Sequence, residues 1–106
     1  MTTTRQSQTA QIGPLYLGVD LGGTKILALV GTADGHVLSE SLVSTPSAHG
    51  VDPVIVRLIN AVSGALASAK VGLSSIAGVG VAAAGAVDHT AGIVVHSPHL
   101  AGWDHV

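Results

Sequence analysis

The sequence predicts an α/β lobe, a mixed sheet whose first three strands run antiparallel and whose fourth strand is reached through a crossover helix. Three observations predict it. Apolar runs at Leu15 to Val19 and Lys25 to Gly31 flank a glycine-rich turn, so the chain reads strand, turn, strand. Ile55, Leu58, Ile59, Val62, Leu66 and Ala69 recur at helical spacing on one face. An uncharged Val-, Ala- and Gly-rich stretch from Ile76 to Gly85 then has the composition of a buried strand.

Each element has its own local cause. Asp34-Gly35 is a tight-turn signal, and the alternation of polar and apolar residues from His36 to Thr45 predicts a third strand that completes a meander. Asp52-Pro53 predicts a helix start, with Asp52 as N-cap and Pro53 at the first helical position, where a missing N–H costs nothing. Gly64 inside that helix costs about 1 kcal/mol relative to Ala, and marks a close contact if it is to be tolerated. After Gly72 the chain returns to the sheet as the Ile76 to Gly85 strand, with parallel pairing expected from a helix crossover. Val87 and Ile93 to Val95 predict a hairpin across the Asp88 to Gly92 turn. Residues 97–106 read as a loop with no stop signal, so the lobe is expected to be incomplete.

Composition narrows the function. The chain has 106 residues, room for one domain but little for an enzyme that encloses two substrates. With 47% hydrophobic residues, 9% charged and 2% aromatic, its core is expected to be aliphatic and closely packed. Net charge is −2, and Arg5, Lys25, Arg57 and Lys70 are scattered, so no basic stripe offers itself to nucleic acid. The absence of cysteine fits a reducing compartment, and the expected location is cytoplasmic. Residues 1–14 are expected to be a disordered lead-in to a lobe spanning 15–106, since the Thr- and Gln-rich start lacks the apolar core of a signal peptide. The apolar runs are broken by glycine and read as too short to cross a bilayer.

The chemistry is concentrated at Asp20-Leu21-Gly22-Gly23-Thr24-Lys25. Glycines let a backbone approach an anion and aim N–H groups at it, Thr24 adds a hydroxyl, Lys25 adds positive charge, and Asp20 suits the ordering of a hydrated Mg²⁺. These are the ingredients of a phosphate-binding turn; the plainer alternative is a hairpin turn whose glycines only satisfy backbone torsions. Gly18 and Gly23 imitate P-loop spacing, but a P-loop needs Lys before Ser or Thr and a helix after it, whereas Thr24 precedes Lys25 and a strand follows. No dinucleotide-binding GxGxxG opens a helix either.

A phosphate turn between two antiparallel strands is similar to the actin-like ATPase (ribonuclease H-like) and sugar-kinase architecture, and the chain resembles one family within it. Gly18-Val-Asp20-Leu-Gly22-Gly23-Thr24-Lys25, Val79-Gly80-Val-Ala-Ala-Ala-Gly85-Ala-Val87-Asp88 and Ser97-Pro-His-Leu100-Ala-Gly-Trp103 together resemble three segments of the ROK family of repressors, open reading frames and kinases. The chain departs from that pattern at Ala84, where the family usually has Pro, and at His99, where it usually has Asn. The resemblance implies the N-terminal lobe of an actin-like fold and phosphoryl transfer from ATP, with Mg²⁺, to a hexose or related sugar. It implies a homo-oligomer as the intact protein, with small-molecule sugar and ATP as partners and neither nucleic acid nor membrane. Gly22, Gly23, Thr24 and Lys25 would hold ATP phosphates and Asp20 the metal's waters. Gly85 would lie against the sugar, or be a simple turn glycine.

The family's catalytic carboxylate follows an Asn in a motif that this chain does not contain, so no catalytic residue is expected within it and the chain alone is expected to be inactive. Asp88 reads as a hairpin residue, Trp103 as a packing residue or a wall of the sugar site, and His96, His99 and His105 as loop histidines rather than metal ligands. The alternative reading is a sugar-sensing transcriptional regulator of the same family. The expectation favours a kinase, because a helix-turn-helix does not fit in the short polar lead before Leu15. A chaperone-like or acetate-kinase-like ATPase is the third possibility.

Overall fold

The computed structural model describes residues 13–83, 85–88, 93–97 and 100–106. Ala84 and His99, the two departures from the family pattern, lie outside them. The strands are β1 (Leu15–Leu21), β2 (Lys25–Thr32), β3 (Val37–Ser44), β4 (Ile76–Ala83), β5 (Ala86–Asp88) and β6 (Ile93–His96); helix α1 (Val51–Ala69) stands between β3 and β4. Four strands form one sheet in the order β3-β2-β1-β4, and β5 and β6 form a separate hairpin. β1, β2 and β3 are antiparallel neighbours, whereas β4 runs parallel to β1 with Leu21 beside Ala83. The meander, the crossover helix and the parallel return stand as the sequence predicts. Asp88 pairs with Ile93 at the end of β5, so it belongs to the hairpin.

Alternation along β1 and β2 sets which face is buried. Leu15, Leu17, Val19 and Leu21 alternate inward on β1, and Ile26, Ala28 and Val30 do so on β2, where all three are fully buried. α1 covers this face with Val54, Ala61 and Ala65, also fully buried, flanked by Val51, Ile55, Leu58, Val62, Leu66 and Ala69. Five of the six helix positions that the periodicity marks therefore pack on the core. The sixth, Ile59, is 55% exposed. The stripe centres on Val54, Leu58, Ala61 and Ala65, which places Ile59 roughly a third of a turn away.

The N-cap also lies two residues earlier than the predicted Asp52. Gly50 is the N-cap, at φ 91°, and makes no side-chain capping bond; Asp52 lies in the first turn, where its charge complements the helix dipole. Pro53 is thus the third helical residue, still within the turn whose N–H groups have no intrahelical acceptor. At 19 residues α1 has the length and composition to cross a bilayer, which the glycine-broken reading of the sequence did not allow. Here it lays its apolar stripe on the sheet.

β3 reverses the usual assignment of polar and apolar faces. Ser39 is buried against α1, where its hydroxyl donates to the carbonyl of Ala65 at 2.6 Å, while Leu38 and Leu42 on the same strand are 38% and 58% exposed. Small residues on both partners explain it: a Cβ on Gly64 would lie 2.7 Å from Ser41 Oγ and 3.3 Å from Ser41 Cβ. Helix and strand approach too closely for a larger side chain. Gly64→Val should therefore destabilise the fold by about 2 kcal/mol through overpacking; urea unfolding unchanged from wild type would contradict this contact.

The β2–β3 connection is held by its own polar groups. The Thr32 hydroxyl donates to the Asp34 carboxylate, His36 Nδ1 lies 3.1 Å from the other carboxylate oxygen, and the His36 N–H donates to Thr32 Oγ1 at 3.1 Å. The bond from Thr32, and then that from His36, lower the Asp34 pKa from its ordinary 3.8 to about 2. Because the folded value is depressed, this contribution to stability is complete above the ordinary value and is lost as pH falls through about 2.

Candidate functional site

Parallel pairing puts the carboxyl ends of β1 and β4 at one end of the sheet, the end at which open α/β sheets bind ligands. The β1–β2 turn lies there, as does Gly85, two residues beyond β4. β3 also ends there, because Lys25 pairs with Ser44.

The turn is tightly closed. The Gly22 N–H donates to the carbonyl of Lys25 at 3.0 Å, and a Cβ on Gly22 would lie 2.9 Å from that same oxygen. Glycine is required at this position by space and not by torsion. Neither Gly22 nor Gly23 is among the glycines with positive φ, which among the described residues are Gly13, Gly35, Gly50, Gly85 and Gly102. Among those residues the N–H groups of Gly23 and Thr24 have no hydrogen-bond acceptor, and Asp20, Thr24 and Lys25 are exposed. Asp20 alternates with Val19 and Leu21 and so projects from the sheet face opposite α1.

One residue that sequence reasoning missed completes the turn. Thr45, just past β3, donates its hydroxyl to the carbonyl of Gly22 at 3.0 Å and its N–H to the carbonyl of Thr24 at 2.8 Å. A Thr followed by Pro46 carries no sequence signal for such a contact, since only the strand register brings it beside a turn more than 20 residues earlier. Two residues on, the carbonyl of Ser47 accepts the N–H of Ala101 at 2.9 Å, which joins this segment to the loop that holds Trp103.

Trp103 is 4% exposed and belongs to the core cluster with Leu100 and Val94, and Val94 exchanges two backbone hydrogen bonds with Val106. Its burial is that of a packing residue. Gly85 is exposed at φ 121°, a conformation open to glycine and poorly tolerated by other residues. His105 is exposed, and His99 lies outside the described residues. A groove of about 360 Å³ lies at the other end of the sheet, lined by Tyr16, Leu29, Gly31, His36, Val37 and Gly80. Its walls are mainly apolar and it does not reach the β1–β2 turn.

A match to the ROK family model extends over residues 16–106 and takes in the turn, β4 and the Trp103 loop. The chain belongs to the ROK family. Among ROK relatives, glucokinase of Streptomyces coelicolor is 36% identical over 86 residues, which cover 81% of this chain and 25% of that protein. The structure of a ROK glucokinase from Streptomyces griseus, in complex with glucose and AMPPNP, superposes with a TM-score of 0.74 at 35% identity, over 86% of this chain and 27% of the other. A ROK hexokinase from Thermus thermophilus gives 0.73 at 31% identity, over 86% of this chain and 28% of the other. The chain therefore spans about a quarter of the length of these relatives. It has the α/β fold of ROK kinases, with the β1–β2 turn and the carboxyl ends of the parallel pair on one edge.

Proposed function

We propose that this chain is the opening part, residues 15–106, of the N-terminal lobe of an ATP-dependent sugar kinase that phosphorylates a hexose or related sugar, and that it supplies the enzyme's first phosphate-binding turn. The observation that carries this reading is the exposed turn whose Gly23 and Thr24 N–H groups have no acceptor among the described residues, in a chain whose relatives include a glucokinase with glucose and AMPPNP bound. Gly22 folds the backbone back on Lys25. Gly23 and Thr24 then present N–H groups and a hydroxyl to the phosphates, and Lys25 adds positive charge beside them. Gly85, at the same sheet end, faces the sugar.

The residues present suit a magnesium ion held through its waters. Asp20 is an exposed carboxylate beside the turn, and the described residues contain no cluster of three or more ligating side chains. Mg²⁺ typically keeps several waters and leans on one or two carboxylates plus phosphate oxygens. When bound, it neutralises phosphate charge. Asp20 would orient its water shell, and the turn would hold the nucleotide's phosphates. The base that receives the hydroxyl proton lies beyond residue 106, so the chain alone has no kinase activity. The intact enzyme is cytoplasmic and homo-oligomeric in this reading.

The test is ADP release by the complete protein with Mg²⁺-ATP and a panel of hexoses, N-acetylhexosamines and fructose, against a no-sugar control. Sugar-dependent release is expected. Sugar binding without any ADP release would replace the kinase with a sugar-sensing regulator.

A further inference from the structure

We infer that Thr45 is a positioning residue for phosphoryl transfer, which clamps the phosphate turn from the end of β3 and so fixes the direction of the Gly23 and Thr24 N–H groups. The inference rests on the kinase reading for its activity arm, and on geometry for the clamp itself. The turn is short, and its one internal backbone bond, Gly22 to Lys25 at 3.0 Å, closes its base and leaves the apex unsupported. Thr45 supplies what is missing with two bonds from one residue: its hydroxyl to the Gly22 carbonyl at 3.0 Å and its N–H to the Thr24 carbonyl at 2.8 Å. These carbonyls flank Gly23. Two peptide planes are thereby held, and they are the planes that carry the Gly23 N–H, through the carbonyl of Gly22, and the Lys25 N–H, through the carbonyl of Thr24. Between them the Thr24 N–H has little freedom to turn away. An anion site made of backbone N–H groups works only if they are aimed before the ligand arrives, because reorientation on binding would subtract from affinity.

The clamp is itself anchored. Thr45 accepts the N–H of Ser47 at 2.8 Å, and the Ser47 carbonyl accepts from Ala101 at 2.9 Å. The segment from Thr45 to Ser47 is thus hydrogen-bonded at one end to the phosphate turn and at the other to the loop that buries Trp103.

The test compares Thr45→Val, which keeps shape and the backbone bond but removes the hydroxyl, with Thr45→Ser, which keeps the donor. In the complete kinase Thr45→Val should raise the KM for Mg²⁺-ATP about fivefold, the worth of one hydrogen bond, leave the sugar KM unchanged, and be rescued by Thr45→Ser. An unchanged ATP KM would overturn the clamp, as would ATP and sugar KM rising together with a fall in Tm, which is the signature of a merely structural role. Amide hydrogen exchange at Gly23 and Thr24 reads the clamp without activity: it should accelerate in Thr45→Val and not in Thr45→Ser, and equal exchange in both variants would contradict it. A wild-type protein without sugar-dependent ADP release would sink the kinase reading and leave the exchange result to decide the clamp.

Discussion

If the proposed kinase reading holds, Asp20→Ala in the complete protein is expected to lower kcat by about a hundredfold or more, the scale of losing one preorganised electrostatic contact to the reacting phosphate. The side chain projects from the uncovered sheet face and is exposed. Its removal opens no cavity, so Tm should stay at the wild-type value. Sugar binding should change little, because in the proposed site Asp20 serves the phosphates and Gly85 the sugar. This combination, loss of turnover with intact fold and intact sugar affinity, separates the metal-orienting role from a structural one. Steady-state kinetics with calorimetric sugar binding checks it, and near-normal turnover would remove Asp20 from the mechanism.

Gly23→Val should raise the KM for ATP by about tenfold or more, since its side chain would stand where the proposed phosphates approach and hold them off the turn N–H groups, at the cost of about one charge-assisted hydrogen bond. The two glycines of the turn are predicted to fail differently. Gly22→Val drives a Cβ against the Lys25 carbonyl, 2.9 Å away in the present backbone, so it should destabilise the fold as well as the site. Gly23 has no left-handed torsion to protect. Its variant should fold normally and lose nucleotide affinity alone. ATP affinity unchanged in a folded Gly23→Val protein would contradict the phosphate assignment.

The turn was legible in the sequence because its constraints are local: two apolar runs of strand length on either side of Gly22-Gly23, and a lysine placed after the threonine instead of before it. The crossover helix and the parallel β4 were legible for the same kind of reason, hydrophobic period and run length. The elements that the sequence misplaced depend on contacts between distant residues. Ile59 continues the apolar pattern of α1 but lies off the stripe, because Ala61 and Ala65 and not larger residues set the line of closest approach to the sheet. Ser39 and Ser41 face the helix because Gly64 brings it near, an inversion that no pattern within β3 announces. Asp52 matched an N-cap by type, yet the chain turns into the helix at Gly50, whose left-handed conformation supplies the entry. Thr45 was invisible for the most basic reason: its role exists only once β2 and β3 are in register and bring Ser44 beside Lys25.

Whether the β1–β2 turn receives nucleotide phosphates is read from amide chemical shifts in the complete protein labelled with ¹⁵N at glycine and threonine, titrated with Mg²⁺-AMPPNP. The largest shifts are expected at Gly23 and Thr24, with Gly31 and Gly35 at the other end of the sheet unmoved. Shifts confined to those groove glycines, with Gly23 and Thr24 silent, would contradict it.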